Sequence, residues 1–200
     1  MTRLLSLICI LLFSASASST TLLILGDSLS ASYQMPIEKA WPSLLPNALQ
    51  AEGKSDIDVI NASISGDTTG NGLARLPSLL TLHTPDAVLI ELGANDGLRG
   101  FPPQLISSNL TAIIGQIKKA GSTPLLMQIR IPPNYGKRYS DAFYSLYSEL
   151  SLQHTVPLLP FFLEQVIIKP EWMMADGLHP TVDAQPWIAN FVAQHLAEHL

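Results

Sequence analysis

The chain has 200 residues, 47% of them hydrophobic and only 14% charged, and 11 Lys+Arg against 16 Asp+Glu give a formal net charge of -5. That length suits one domain with a core of its own, and the apolar content excludes a disordered chain. No basic run marks a nucleic-acid-binding surface, and the single cysteine, Cys9, excludes a disulfide framework.

The first feature in chain order is Met1–Ser19. Arg3 supplies a positive start, Leu4–Phe13 is apolar apart from Ser6, and Ala15-Ser16-Ala17 fits a small-x-small cleavage signal. This is the three-part pattern of a secretory leader, and its apolar run is too short to span a bilayer. Residues 1–17 are therefore expected to be removed, leaving residues 18–200 as a single domain in the periplasm or outside the cell. Cys9 leaves with the leader, and loss of Arg3 takes the charge from -5 to -6. No later apolar stretch is long enough to cross a membrane, so no stable membrane insertion is expected.

Strand-like and helix-like segments then alternate. Thr21–Leu25 is an apolar run entering Gly26-Asp27-Ser28. Trp41–Glu52 has helical spacing, with Trp41, Leu44, Leu45, Ala48 and Leu49 on one face. Ile57–Ile60 reads as a strand before the small-residue stretch Asn61–Asp67, and Leu73–Leu82 as a helix despite Pro77. Ala87–Leu92 is a third strand running into Gly93-Ala94-Asn95-Asp96. Gln104–Lys119 is an amphipathic helix ended by Gly121, with Lys118 and Lys119 in its last turn. Thr123–Ile129 is a strand, Ser140–Gln153 a helix and Val156–Leu159 a short fifth strand. Ala184–Leu200 closes the chain as a helix that Asp183 can cap, with Pro186 tolerated in its first turn. Apolar strands separated by helices predict an α/β fold, a parallel sheet covered on both faces with right-handed crossovers. Ligands of such sheets bind beyond the carboxyl ends of the strands, where this sequence puts its small polar clusters.

Those clusters are Gly26-Asp27-Ser28, Ser65-Gly66-Asp67, Gly93-Ala94-Asn95-Asp96 and, near the C-terminus, Asp176-Gly177-Leu178-His179-Pro180. Each alone is ordinary turn chemistry. A serine hydroxyl after a buried strand can act as a nucleophile when a base takes its proton; from position alone, a helix N-cap is the commoner role for Ser28. His179 is the best candidate base, since Asp176 three residues earlier can accept its ring N–H and fix the tautomer. His83, His154, His195 and His199 lie on or after helical segments, where surface or helix-end roles suffice. Acyl transfer also needs donors aimed at a developing oxyanion. The backbone N–H groups of Ser28 and Gly66 and the Asn95 amide are candidates; the alternatives are a turn glycine at Gly66 and an Asx-turn or helix cap at Asn95.

Taken in this order, the four clusters resemble the four blocks of the SGNH (GDSL) hydrolase family, centred here on Ser28, Gly66, Asn95 and His179, with Asp176 as the acid. The resemblance extends over LLILGDSLSASY, VINASISGDTTGNGLARLPSLL, ELGANDGLRGFPPQ, PLLMQIRIPPNYGKRY, VPLLPFFLE and DGLHPTVDAQPWIA, from about Thr21 to His199. Within the family it is most like the bacterial periplasmic thioesterase I/lysophospholipase/arylesterase type. Ser32 stands where relatives often carry glycine, and Ala94 stands at the open position of the GxND pattern. G-x-S-x-G is absent, which argues against an α/β-hydrolase nucleophile elbow.

The resemblance implies a flavodoxin-like three-layer α/β/α sandwich on a five-stranded parallel sheet. It implies hydrolysis of small-molecule acyl esters and thioesters, including fatty acyl thioesters, lysophospholipids and simple aryl esters, through an acyl-enzyme on Ser28. No cofactor or metal is expected, and the protein is expected to be a monomer. An acyl chain needs an apolar groove, for which Leu29, Ile131, Tyr135 and Leu178 are candidates, with core packing as the alternative. The segment Gly97–Pro102 is read as a mobile lip over that chain or as a plain surface turn. Three rival readings are a carbohydrate O-deacetylase with the same triad, a metal-dependent phosphoesterase built on Asp27, Asp67, Asp96 and His179, and a non-catalytic anion- or flavin-binding module.

Overall fold

A strand buried on both faces reads as a near-continuous apolar run, and two segments do so up to their last residues. Leu22–Leu25 of β1 (Thr20–Gly26) are fully buried, as are all five residues of β3 (Ala87–Glu91). The computed structural model describes residues 19–200, so the leader expected at residues 1–17 lies outside them. With β2 (Ile57–Asn61), β4 (Thr123–Met127) and β5 (Leu158–Leu159), these strands form a five-stranded parallel sheet in the order β2-β1-β3-β4-β5. That is the flavodoxin-like order, whose switch point lies between β1 and β3.

Helices cover both faces, giving the expected three layers. α1 (Trp41–Ala51) packs with α7 (Gln185–Leu196) on one side. On the other, α4 (Pro103–Lys119) packs between α2 (Thr69–His83) and α5 (Lys137–His154). Two short helices, α3 (Ala94–Leu98) and α6 (Leu163–Val166), follow β3 and β5. Trp41 anchors the layer beneath the future site. Its indole Nε1–H donates to the Leu29 carbonyl at 3.0 Å, and its backbone N–H donates to Gln185 Oε1 at 3.0 Å. The start of α1 is thereby tied both to the loop after β1 and to α7.

Several boundaries differ from those read in the sequence, each for a local reason. α2 begins at Thr69 rather than Leu73, because Thr68 and Asn71 form a reciprocal cap at its N-terminus. The fifth strand is two residues long: Val156 N–H is spent on the Ser151 carbonyl at 3.0 Å, and Pro157 has no N–H to offer. β4 stops at Met127, after which the Gln128 amide donates to the carbonyls of Ile129 and Tyr144. Asp183 does not cap the last helix. It lies inside a 3₁₀ turn, Val182–Ala184, and makes no capping bond, while the helix proper runs from Gln185 with Pro186 in its first turn.

Candidate active site

The loop after β1 turns back at once, since the Asp27 carbonyl accepts from Ser30 N–H at 3.2 Å and Ala31 N–H at 2.9 Å. No helix starts until the 3₁₀ turn Ile37–Lys39, so Ser28 caps nothing. Its half-buried side chain instead meets His179, with Oγ 2.8 Å from Nε2. On the other edge of the imidazole, Nδ1 lies 2.7 Å from Asp176 Oδ2. With Nδ1–H donating to the carboxylate, Nε2 is the acceptor for the Ser28 hydroxyl.

The Asp176–His179 turn is fixed by its own backbone. Asp176 Oδ1 accepts from the N–H groups of Leu178 at 2.9 Å and His179 at 3.0 Å. Burial opposes ionisation, but these two donors and the imidazole outweigh it and hold the Asp176 carboxyl down to about 2. The turn is pinned further by Met174 N–H on the His179 carbonyl at 2.8 Å and by Thr181 N–H on Trp172 O at 2.7 Å.

Asn95 is the second residue of α3, and its Nδ2 donates to Asp27 Oδ2 at 3.1 Å and to the Asp67 carbonyl at 3.0 Å. The loop after β2 is thereby tied to Asn95 at the residue that follows Gly66. Gly66 has φ +84°, a conformation that side chains disfavour. Arg99 Nη2 donates to its carbonyl at 3.1 Å, and Arg75 from α2 pairs with Asp67 at 2.7 Å. Among the described residues, the N–H groups of Ser28 and Gly66 have no acceptor. Ser28 and Asn95 line one groove with His179, and the unpaired N–H groups of Ser28 and Gly66 together with the Asn95 amide are the candidate donors for an oxyanion.

The three aspartates of the phosphoesterase reading are committed to protein donors. Asp67 takes Arg75, and Asp96 takes the N–H of Thr69 at 2.8 Å and its hydroxyl at 2.6 Å. Asp27 takes Leu29 N–H at 3.1 Å besides Asn95. Among the described residues, no group of three or more His, Cys, Asp or Glu is placed to hold a metal ion.

Glu91, at the end of β3, escaped the reading of the sequence; its signal was an acid inside the apolar run AVLIEL. Fully buried under the loop, it accepts through Oε2 from Ser30 Oγ at 2.7 Å and Asp27 N–H at 3.3 Å. Burial, reinforced by the Asp27 carboxylate, pushes its carboxyl well above the usual range. Burial likewise pushes Asp27 up to about 7.

An apolar groove of about 350 Å³ opens beside Ser28 and His179. Of the four candidates for its lining, Leu29, Ile131 and Leu178 are there; Tyr135 is not. Its hydroxyl donates to the Leu98 carbonyl at 2.9 Å, so the ring braces the outside of the groove wall. Further apolar surface comes from residues that include Leu98, Pro132, Phe161, Leu163 and Ile167. Leu163 and Ile167 follow the i, i+4 spacing of one helical face, a sequence signal that was not used.

The family described as GDSL-like lipase/acylhydrolase matches residues 24–185. An arylesterase of Vibrio mimicus is 67% identical over the full length of both chains. The thioesterase 1/protease 1/lysophospholipase L1 of Escherichia coli K12 is 54% identical, over 94% of this chain and 88% of that protein. Among solved structures, the psychrotrophic esterase EstA from Pseudoalteromonas sp., inhibited by monoethylphosphonate, superposes with a TM-score of 0.86. It is 46% identical, and the match covers 90% of this chain and 98% of that one.

Proposed function

We propose, from the premise that the chain belongs to the GDSL-like lipase/acylhydrolase family and is a serine esterase, that it cleaves fatty acyl thioesters, lysophospholipids and simple aryl esters through an acyl-enzyme on Ser28. The observation that carries this reading is the continuous chain Asp176–His179–Ser28, with contacts of 2.7 and 2.8 Å, at the edge of an apolar groove. Ser28 Oγ attacks the acyl carbon as His179 Nε2 takes its proton, and the oxyanion is held by the N–H groups of Ser28 and Gly66 and the Asn95 amide. His179 returns the proton to the departing alkoxide or thiolate. Water then attacks the Ser28 ester by the same route, releasing the acid and restoring the hydroxyl.

The aliphatic lining favours an acyl chain over a sugar ring, since each buried CH₂ contributes roughly 0.8 kcal/mol. No helix of the described residues is long and apolar enough to cross a membrane. The leader-like residues 1–17 support export to the periplasm or beyond, where lipid esters are more abundant than acyl-CoA; N-terminal sequencing of the exported protein should begin after Ala17. Sedimentation of that product should give one monomeric species.

A serine-reactive fluorophosphonate should label the protein, and Ser28→Ala should abolish labelling. Turnover of p-nitrophenyl esters, acyl thioesters and lysophosphatidylcholine should disappear with it. Labelling that survives Ser28→Ala, or no turnover of any of the three, would overturn the proposal.

A further inference from the structure

Tyr33 is the fifth residue after the nucleophile and closes the stretch LLILGDSLSASY, but none of the roles described above falls on it. Its ring lies on the face of the His179 imidazole, with centroids 4.1 Å apart and planes 25° from parallel. We propose that Tyr33 is a positioning residue that fixes the plane of His179 and lies against the imidazolium formed during acyl transfer; this rests on the serine esterase reading.

The geometric need is specific. His179 is held at two edge atoms, Nδ1 by Asp176 and Nε2 by Ser28. A ring held at two edge points can still rock about the line that joins them. Rocking leaves those two contacts almost intact but tilts the ring plane, and with it the arc along which Nε2 must swing from Ser28 Oγ to the leaving group. Contact on the ring face removes that freedom and still permits the small in-plane movement from Ser28 Oγ to the departing atom.

The backbone is shaped to make this contact. Ser32 and Gln34, on either side of Tyr33, both have left-handed φ, 59° and 53°, without being glycine. Such conformations are unfavourable and persist where the surroundings impose them. Here Met35 N–H closes on the Ser32 carbonyl at 3.2 Å, and Gln34 Nε2 donates to the Tyr33 hydroxyl at 3.0 Å. The strain sits on the two residues that aim the ring.

Tyr33 also stands outside the acyl groove. It lines a small void with Ser32 and Met35 that shares only Ser28, Leu29 and His179 with the groove, and Tyr33 is not part of the groove lining. Its effect should therefore fall on proton transfer rather than on acyl binding. The negative face of an aromatic ring attracts a cation more than a neutral ring, so the contact strengthens as the imidazolium forms, and that difference raises kcat.

The test compares Tyr33→Leu with Tyr33→Phe on short- and long-chain p-nitrophenyl esters. Tyr33→Leu should lower kcat by about 10- to 100-fold, the scale of a misplaced reacting group, with KM little changed at either chain length. Fluorophosphonate labelling of Ser28 should slow by the same factor. Tyr33→Phe, which keeps the face and loses only the Gln34 contact, should restore most of both rates. A wild-type kcat in Tyr33→Leu, a loss confined to KM, or a Phe variant as slow as the Leu variant would each overturn the proposal. A measurement on the unmodified protein needs neither variant nor turnover. In its proton NMR spectrum, the His179 ring C–H signals, identified by their loss in His179→Gln, should be shifted upfield by the Tyr33 ring current. Signals at the positions of an unstacked histidine would refute the stack. Absent ester turnover in a protein that keeps the upfield shift would instead refute the esterase reading.

Discussion

The Asn95 amide has two hydrogens, and in the resting site both are taken, by Asp27 Oδ2 and by the Asp67 carbonyl. An oxyanion must therefore compete for a donor that is already oriented, which is the sense in which the site is preorganised: the amide is aimed before charge develops and need not reorient afterwards. A neutral ester carbonyl competes poorly and a full negative charge competes well, so Asn95 should act on the transition state more than on substrate binding. Asn95→Ala should lower kcat by roughly 100- to 1,000-fold and leave KM within a small factor. Steady-state kinetics on a p-nitrophenyl ester check this, and a raised KM with unchanged kcat would remove Asn95 from the oxyanion site. Position in the chain could not separate this role from an Asx-turn. What separates them is the pair of acceptors on other loops, Asp27 Oδ2 and the Asp67 carbonyl, a fact of tertiary structure.

Among the elements, the stretch from α3 to Pro102, read as a mobile lip or a plain surface turn, divides into a packed groove wall and a turn. Gly97 is buried within α3, and a Cβ there would lie 2.5 Å from Ile131 Cγ2 and 2.8 Å from Phe143 Cε2. The following residues are tied down by Tyr135 Oη on Leu98 O, Tyr139 Oη on Phe101 O at 2.7 Å, and Phe101 N–H on Asp96 O at 3.0 Å. Gly97 thus serves close packing of the groove wall, whereas Gly100, at φ +70° with open space around it, serves a turn. Gly97→Ala should destabilise the fold by about 1–3 kcal/mol through overpacking and disturb Ile131 in the groove. Gly100→Ala should cost about 1–2 kcal/mol of backbone strain and leave acyl-length preference unchanged. Thermal melts and a chain-length series on the two variants test the distinction; equal effects on chain length would contradict it. The central strands were legible because Leu22–Leu25 and Ala87–Ile90 are apolar without a break. The edges were not: β5 is cut short by a proline and a neighbouring helix end, and α2 is extended by a Thr68–Asn71 cap and by Asp96, 27 residues from Thr69 in sequence. The proposed catalytic side chains are legible as motifs, but the groove wall is assembled from separate segments: the i, i+4 pair Leu163 and Ile167 marks a helical face without saying what it faces, and nothing local shows that Tyr135 braces the wall from outside.

At the scale of the molecule, the loops that carry Ser28 and Asn95 rest on buried acid. Asp27, Glu91 and Asp96 are each fully buried, and burial raises all three, Asp27 to about 7. A carboxyl raised on folding binds its proton more tightly in the folded than in the unfolded chain. Its contribution to stability is complete below the unfolded value and is lost as pH climbs through the folded one. For Asp27 that window runs from 3.8 to about 7, and Glu91 and Asp96 act in the same direction. Asp176 has the opposite sign: held down to about 2, its contribution is complete above 3.8 and disappears only as pH falls through about 2. Between about pH 4 and 7 the buried trio therefore sets the slope, and Tm should fall as pH rises from 5 to 8. Glu91→Gln, which has the shape of the protonated acid and keeps an oxygen for Ser30 and Asp27 N–H, should flatten that decline and match or exceed the unmodified Tm at pH 8. Scanning calorimetry across the range decides: a Tm that climbs from pH 5 to 8, or a Glu91→Gln profile as steep as the unmodified one, would contradict the assignment. Glu91 and Asp27 oxygens hold the serine loop and the Asn95 amide, and Asp96 ties α3 to the start of α2, so the support of the site and the pH sensitivity of the whole molecule have one physical origin.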